Sequence, residues 1–375
     1  MATLRDYIKI KHGFAFKGDY ITTVDNNVVL VTPGNFAIGG GFKEEKCKYF
    51  NGVYSDEYVL NPDDLIVTMT DLSKQIDTLG YSALIPNNEN GRVYLHNQRI
   101  GLVTIDKDKI DKHYLYWFMR TPYYQKTIAS TATGSTVHHT SPSRILDVKI
   151  ILPELNIQKK IARFFDTIEE KISMNIEMNK ILEKQAQIIF DKMFGNTILA
   201  NKCIGDIIIP KRGKSLLSKN AINGGVPVVG GGLEPSTFHN ISNTTAPVLA
   251  ISASGANAGY ISLWNVPIWA SDSSYIDSTM TDDVYFWYVL LKKRQNEVFD
   301  LQTGSAQPHV YPKHIASMSI PEFNKDDIQK YTSCISPFFE KIGQNKEENL
   351  YLIQLREILL PKLISGEIDI SKMNI

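Results

Sequence analysis

Hydrophobic residues, with asparagine at two places, recur at alternating spacings of four and three through a stretch of the chain centred near residue 177. The positions are Ile161, Phe165, Ile168, Ile172, Asn175, Asn179, Leu182, Ala186, Ile189 and Met193. This is the a/d spacing of a coiled coil, so it predicts a helix of roughly 50 Å that pairs with another helix. A surface helix packed on its own domain is the less favoured interpretation.

The same pattern returns 170 residues later. Its positions are Tyr331, Ile335, Phe338, Ile342, Asn345, Asn349, Leu352, Arg356, Leu359 and Leu363. Asparagine occupies the same two places in both series. Pro337 is expected to kink or begin this second helix, with Ser336 as its cap.

The asparagines predict how the two helices pair. In an antiparallel pair, Asn175 faces Asn349 and Asn179 faces Asn345. Buried polar pairs weaken a seam but fix its register. We therefore predict a polar layer that joins two inverted repeats.

The regions outside the helices have a different pattern. Residues 1–153 and about 201–321 are rich in Gly, Ser, Thr, Asn and aromatic residues. Short β-branched runs at 28–32, 65–70 and 248–252 predict twisted sheets with long loops. Helices are predicted near residues 114–119 and 285–291.

Sequence matches at an offset of 170 support an internal repeat. Trp117 matches Trp287, and His139 matches His309. We predict an α+β protein in which two twisted-sheet domains with short helices are joined by two long antiparallel coiled-coil helices, as a pseudo-two-fold repeat. The predicted segments are a first domain at 1–153, a central helix at 154–196, a second domain at 197–321 and a C-terminal helix at 322–375.

Composition adds that the chain is globular and electrically balanced. It has 375 residues, 43% of them hydrophobic, with 40 basic and 40 acidic side chains. Residues 1–153 hold 17 basic and 16 acidic side chains, and residues 201–321 hold 9 and 8. This balance argues against the simplest kind of nucleic-acid binder. Three widely spaced cysteines and no apolar run of membrane length predict a cytoplasmic protein without a membrane span.

Catalytic motifs are incomplete in this sequence. The end of a phosphate-binding loop at 211–215 lacks its first glycine, because Ile208 stands there. Residues 61–64 begin like the NPP(Y/F) motif of base methylases but lack its second proline and aromatic residue. Glu169 and Lys171 are typical helix-surface charges, and adjacent His138 and His139 lack further metal ligands. We predict a chain without catalytic residues and without a metal site.

Two segments resemble conserved regions of a known family. The stretch at 152–161 and the helix after it resemble the first conserved region of type I restriction-modification specificity subunits. Residues 355–368, LREILLPKLISGEI, resemble their C-terminal conserved region. Residues 13–17, GFAFK, and the Gly-Ser loops at 134–135 and 304–305 resemble motifs of their target-recognition domains. The resemblance covers the whole chain.

This resemblance implies a DNA-reading subunit of a larger complex. Each target-recognition domain is expected to read one half of a bipartite, asymmetric site in double-stranded DNA, while the helices set the gap as a molecular ruler. The helices are also expected to dock two DNA adenine methyltransferase subunits. Motor-nuclease restriction subunits complete the assembly. S-adenosylmethionine, ATP and Mg²⁺ are expected on those partners, with no cofactor in this chain.

Base reading requires polar side chains on loops, while Lys and Arg contact phosphates. The DNA-binding candidates in the first domain are Lys17, Lys43, Lys46, Lys48, Lys74, Arg92, Asn97, Arg99, Ser135, Thr136 and His139. Those in the second are Lys211, Arg212, Lys214, Lys219, Asn257, Ser273, Ser274, Ser305, Gln307 and His309. The lysines at 43–48 and the run 211–214 are the favoured phosphate contacts.

Hydrophobic residues outside the seam are the candidates for methyltransferase contact. They are Phe164, Ile176, Ile181, Ile188, Phe190, Ile358 and Leu360. Burial against the chain's own domains is the alternative for each of them. Because both domains are nearly neutral, the chain is expected to bind DNA weakly without its partners.

Three other functions are alternatives. A coiled-coil adaptor that binds proteins but not DNA agrees with the neutral charge. A fused nuclease or methylase fragment requires catalytic motifs that are incomplete here. A specificity subunit of another restriction class remains open within the same family.

Overall fold

The computed structural model describes residues 2–71, 73, 76–87, 91–195, 199–304 and 307–372. The chain divides into two compact units. Unit 1 comprises Met1–Lys171 and Leu352–Ile375, and unit 2 comprises Ile172–Tyr351. Each unit contains one sheet domain and parts of both long helices.

The sheet domain of unit 1 is built on two sheets. An antiparallel sheet has the strand order Ile8–His12, Ile100–Ile105, Leu65–Thr68 and Ser82–Leu84. A five-stranded sheet has the order Ile21–Thr22, Lys48–Phe50, Val28–Val31, Val93–His96 and Val59–Leu60, with Val28–Val31 parallel to Val93–His96. A two-stranded ribbon pairs Thr70–Asp71 with His138–His139. The helices are Lys112–Phe118, Pro122–Ser130 and Pro142–Leu146.

The sheet domain of unit 2 repeats this plan. Its four-stranded antiparallel sheet has the order Lys211–Arg212, Ser273–Asp277, Val248–Ser252 and Ile261–Trp264. A smaller sheet has the order Thr237–His239, Val226–Val229 and Trp269–Ala270, again with one parallel pair. Leu199–Cys203 pairs with Ser319–Pro321. The helices are Val284–Lys293, Gln295–Asp300 and Pro312–Ala316.

The four-stranded sheets of the two domains therefore share their strand order. In both, the strand that comes first of the four along the chain lies at an edge and pairs with the strand that comes last of the four. In both domains a parallel pair lies in the second sheet. The α+β fold predicted from the sequence is confirmed, and the repeat extends from short sequence matches to strand topology.

Each unit has an aromatic core that joins its sheet domain to a long helix. In unit 1, Trp117 is fully buried against Phe165, and its indole Nε1 donates to Asp166 Oδ1 at 2.8 Å. In unit 2, Phe286 and Tyr331 lie in one buried cluster. Burial of large aromatic side chains contributes about 1.5–3 kcal/mol each, so these residues hold the helices to the sheets.

The long helices extend over Leu155–Phe194, here called the central helix, and Lys325–Ser365, here called the C-terminal helix. Within unit 2, Asn175 Nδ2 donates to Asn349 Oδ1 at 2.8 Å, and Asn345 Nδ2 donates to Asn179 Oδ1 at 2.8 Å. The lower-numbered residue of one helix meets the higher-numbered residue of the other. The helices are therefore antiparallel, as predicted.

The seam departs from the predicted spacing near the end of the central helix. Met193 is 38% exposed, whereas Phe190 and Phe194 are buried. Both phenylalanines pack on Phe286 and Tyr331 of unit 2. Because of these contacts, the buried positions at this end of the helix are Phe190 and Phe194 instead of Met193.

The prolines of the C-terminal helix also behave differently from the prediction. Pro337 does not begin the helix, which starts twelve residues earlier at Lys325 and includes Pro337. Ser336 is not a cap, because its Oγ donates to Thr332 O at 2.7 Å inside the helix. Phe338 is half-buried, and its neighbour Phe339 occupies the core instead.

Candidate DNA interface

In each sheet domain the same two backbone hydrogen bonds join a threonine and a histidine where the sequence repeats Gly-Ser and His. In unit 1, Thr133 and His139 exchange two backbone hydrogen bonds of 3.0 and 2.8 Å. In unit 2, Thr303 and His309 do the same at 2.9 and 2.8 Å. The repeat thus keeps a closed loop at the same place in both domains.

Glycine is required at the first turn of each loop. Gly134 has φ +99° and Gly304 has φ +98°. A Cβ on Gly134 would lie 2.0 Å from Val137 O, and one on Gly304 would lie 2.6 Å from Gln307 O. Because L side chains rarely adopt this φ and the space is occupied, only glycine fits.

In unit 1 this loop borders a polar cleft of 560 Å³. Its lining consists of His12, Gly13, Met69, Thr70, Gln98, Arg99, His139 and Thr140. The ring Nδ1 of His139 lies 3.2 Å from Thr70 Oγ1, and Asn97 Oδ1 accepts from the Arg99 backbone at 3.0 Å. The predicted residues Arg99 and His139 therefore line one cleft although they are distant in the sequence, while Asn97 makes a local hydrogen bond beside it.

The predicted cations of unit 1 fall into two groups. The lysines Lys17, Lys43, Lys46 and Lys48 have exposed side chains and lie outside the lining of the cleft. Arg92 is half-buried, and its guanidinium donates to Asp25 at 2.9 Å and Glu44 at 3.0 Å. Two carboxylates already neutralise the charge of Arg92. Its side chain therefore holds strands and loops of its own domain together.

In unit 2 the corresponding surface holds an arginine–aspartate pair. Arg212 Nη2 donates to Asp272 Oδ1 at 2.6 Å, and Ser254 Oγ donates to the other carboxylate oxygen. The Tyr311 ring lies 5.9 Å from the Arg212 guanidinium carbon and stacks on His309 at 5.7 Å. The predicted residues Arg212 and His309 therefore belong to one cluster.

The other candidates in unit 2 are distributed over its surface and interior. Lys211, Lys214, Lys219 and Gln307 are exposed. Asn257 is half-buried and donates to Gly231 O at 3.3 Å. Ser273 and Ser274 are buried in a central strand, so the prediction that they contact DNA is wrong for this fold.

The remaining loop candidates lie near the Gly-Ser turns. Ser135 and Thr136 are exposed within the loop of unit 1. Lys74 and Ser305 lie outside the described residues.

The helix candidates for partner contact separate by burial. Ile176, Ile181, Ile188 and Ile358 are 46%, 45%, 57% and 59% exposed. Phe190 and Leu360 are 7% and 3% exposed, so both are core residues and the prediction of partner contact is wrong for them. Phe164 is half-buried and packs edge-on against Phe165.

The motif fragments considered for catalysis are part of the scaffold. Glu169 accepts from Arg356 Nη1 at 2.7 Å, which places it in a helix-to-helix ion pair of unit 1. Asp64 accepts from the Asn61 backbone at 2.8 Å, and Asp63 accepts from Lys112 Nζ. These contacts give each group a structural partner.

One histidine of unit 1 has a pKa above its ordinary value. His113 Nδ1 lies 2.8 Å from Asp166 Oδ2 on the central helix, and its Nε2 lies 3.3 Å from Asp63 Oδ1. The hydrogen bond to Asp166 raises the pKa of His113. Burial and Lys112 act in the opposite direction, and the nearby carboxylates add to the rise.

Sequence reasoning missed His12, Thr70, Gln98, Asp272, Ser254 and Tyr311. Tyr311 stands two residues after His309, and Asp272 directly precedes the two serines that were proposed. Extending each candidate loop by two residues would therefore have included Tyr311 and Asp272. Thr70 and Ser254 gave no local signal, because the fold alone brings them to the site.

Two absences concern the described residues only. None of the helices traced there is both long and apolar enough to cross a membrane. Over the same ranges, three or more His, Cys, Asp or Glu side chains are nowhere grouped as metal ligands.

Comparison with known proteins identifies similar chains. A family model described as the type I restriction modification DNA specificity domain matches residues 1–184. The specificity subunit of the type I restriction enzyme MjaIX from Methanocaldococcus jannaschii is 24% identical, with 72% of each chain covered. A putative type I specificity subunit from Mycoplasma pneumoniae is 25% identical over 70% of this chain and 75% of that one.

A solved structure shares the fold. The crystal structure of the S subunit of a type I restriction-modification system from M. genitalium superposes with a TM-score of 0.63. It is 19% identical and covers 96% of this chain, and 95% of that chain is covered in turn. The similarity therefore extends over both sheet domains and both long helices.

Proposed function

We propose that this chain, which belongs to the type I restriction-modification DNA specificity subunits, reads a bipartite site with one sheet domain for each half. The chain itself carries out no reaction in this proposal. The bases that it selects determine where its partners act.

One observation supports the proposal: each domain presents a polar surface on the same strand topology. Both domains have the same order in their four-stranded sheet and the same closed Thr-to-His loop. Yet the groups beside the loop differ: Arg99 and Gln98 in unit 1, Arg212 and Asp272 in unit 2. A common scaffold with different polar groups suits two half-sites of different sequence.

Partners are proposed to be methyltransferase subunits on the helices and, with them, motor-nuclease restriction subunits. Exposed isoleucines on one face of the central helix, 45% and 57% accessible at Ile181 and Ile188, support a protein contact there. S-adenosylmethionine, ATP and Mg²⁺ belong to those partners in this proposal. Expression in the cytoplasm, where chromosomal DNA is accessible, follows from it.

The test uses the full chain with its cognate methyltransferase in a host that lacks other adenine methylation. Methylated adenines are mapped by single-molecule sequencing of the genome. A motif of two specific half-sites separated by a fixed gap is expected. Replacing residues 199–321 by the corresponding segment of a relative should change one half and preserve the other.

Three outcomes would overturn the proposal. A continuous motif would contradict the assignment of one half-site to each domain. Formation of the complex without any sequence-dependent methylation would favour the adaptor function. A chimera that changes both halves would likewise contradict separate reading by the two domains.

A further inference from the structure

The cluster around Arg212 in unit 2 holds a guanidinium in a fixed position at the protein surface. Its Nη2 donates to Asp272 Oδ1 at 2.6 Å, and the Tyr311 ring lies 5.9 Å from the guanidinium carbon. Ser254 Oγ donates to the second oxygen of Asp272, so the carboxylate itself is held. The Arg212 side chain remains 39% exposed.

This pair contributes little to folding and is suited to positioning. An exposed ion pair stabilises a protein by about 0–1 kcal/mol at most sites. A guanidinium has five N–H donors, and within the described residues Asp272 is the hydrogen-bond acceptor that Arg212 contacts. Most of its donors are therefore free to meet a ligand in a direction that Asp272 and Tyr311 determine.

The same place in unit 1 has different chemistry. In unit 2, Arg212 lies opposite Ser274 on the neighbouring strand, and in unit 1 His12 lies opposite Gly101 in the same way. The carbonyl of Asp272 accepts from Ala253 N at 3.0 Å, as the carbonyl of Arg99 accepts from Met69 N at 2.9 Å. His12 and Arg99 are thus the counterparts of Arg212 and Asp272.

The adjacent carboxylate selects what this arginine can bind. A phosphate brought to Arg212 would also approach the negative charge of Asp272, which disfavours it. A neutral base edge avoids this repulsion. Among the base pairs, guanine presents two acceptors, O6 and N7, in the geometry that a guanidinium meets with two N–H groups.

We propose that Arg212, positioned by Asp272, reads a guanine through the major groove in the half-site bound by unit 2. This inference rests on the proposed function, because it requires that unit 2 read its own half-site. Arg212 is the residue that determines specificity, and Asp272 is its positioning residue. The counterpart pair in unit 1 makes this guanine contact specific to one half of the site.

The experiment maps methylation by the complex of the full chain and its cognate methyltransferase, as above. Arg212→Ala is expected to lower the preference for one G·C pair in the unit 2 half-site by about 10- to 100-fold. The half-site of unit 1 should keep its sequence. Arg212→Lys retains the charge but not the two-pronged donor, so it should relax the same position.

Two further variants separate positioning and charge from base reading. Asp272→Asn should weaken the preference at the same base pair, because the amide holds the guanidinium less firmly. Lys211→Ala removes a neighbouring exposed cation and should leave the motif unchanged while lowering methylation at all sites. The intact half-site of unit 1 reports that each variant folds and assembles.

The inference fails if the wild-type half-site of unit 2 contains no G·C pair. It also fails if Arg212→Ala and Lys211→Ala reduce methylation alike without changing the motif, since that is the behaviour of a phosphate contact. Absence of any bipartite motif in the wild type would instead overturn the proposed function. The two failures are therefore distinguishable.

Discussion

At the scale of single residues, His113 couples the sheet domain of unit 1 to the central helix through two carboxylates. Asp166 faces it from the helix at 2.8 Å, and Asp63 faces it from a loop at 3.3 Å. Lys112, beside it on the same helix, opposes its charge. Its pKa lies above the unfolded value of about 6.5, so protonated His113 stabilises the folded state.

The direction of this pKa shift predicts how the effect of His113→Gln on stability depends on pH. The stabilisation is fully present below about pH 6.5 and is lost as pH rises through the raised folded pKa. The variant should therefore lower the free energy of unfolding by about 1 kcal/mol at pH 5.5 and by less at pH 8.5. Urea unfolding followed by tryptophan fluorescence at the two pH values measures this difference.

Asp166→Asn is the matched control, because its amide oxygen can still accept from the Trp117 indole. It should remove most of the pH dependence without removing that contact. Equal losses of stability at both pH values in His113→Gln would contradict the coupling.

At the scale of elements, the pattern of hydrophobic positions predicted the long helices because their buried face is continuous. The strands predicted at 65–70 and 248–252 correspond to Leu65–Thr68 and Val248–Ser252. The sequence pattern could not predict the switch in burial from Met193 to Phe194 near the end of the central helix. That switch depends on Phe286 and Tyr331, which only the folded chain brings to the helix.

The candidate site was predictable to the extent that its chemistry is local. Arg212, Arg99 and the two loop histidines were proposed because of residue type and repetition. Their partners were not, because Asp272 lies 60 residues from Arg212 and Thr70 lies 69 residues from His139. Ser273 and Ser274 were misassigned because a strand has two faces and a polar residue can lie inside.

The asparagine layer predicts opposite effects of single and double substitutions. Asn175→Leu alone should lower the free energy of unfolding by about 1–3 kcal/mol, because Asn349 would keep a buried amide without that partner. Asn175→Leu combined with Asn349→Leu should recover stability to at least that of the wild type. Chemical denaturation of the three variants and the wild type measures both effects.

Asn179→Leu is the second single variant of that series, because it would leave the Asn345 amide, which is 1% exposed, without the acceptor that its Nδ2 contacts. It should likewise lower the free energy of unfolding by about 1–3 kcal/mol. A double variant less stable than either single one would show that the asparagines stabilise the helices rather than fix their register.

At the scale of the whole molecule, zero net charge is compatible with DNA reading when exposed cations are concentrated on loops. Lys211, Lys214 and Lys219 are exposed in one segment of unit 2. Replacing all three by Ala should reduce the slope of log affinity against log salt by about 0.9 for each lysine that contacts a phosphate. Fluorescence anisotropy of the methyltransferase complex on a labelled duplex, over a range of salt concentrations, measures the slope.

Lys180 and Lys184, exposed on the central helix, supply the control for that measurement. Their replacement by Ala changes net charge in the same sense but should leave the slope unchanged if the helix faces protein. An unchanged slope in the triple variant would contradict phosphate contact by this segment.

The part of the central helix that lies in unit 2 has an exposed apolar face. Met174, Met178, Ile181 and Ile188 recur at spacings of four, three and seven, and each is at least 45% exposed. Residues at this spacing share one face of a helix, so the proposed methyltransferase contact has several exposed apolar side chains on one face. Ile181→Glu with Ile188→Glu should weaken the complex by at least 10-fold, measured by titration calorimetry without DNA.

Ile176→Glu is the matched control, because this isoleucine is 46% exposed but lies five residues from Ile181, about 140° around the helix. It introduces one glutamate on the same helix, away from the apolar face, so the affinity should change little although Ile176 is itself among the partner contacts predicted from the sequence. Equal losses for both variants would show that added charge matters rather than the face. Full affinity in the double variant would place the methyltransferase elsewhere on the chain, and Ile358, 59% exposed, would then be the next residue to replace.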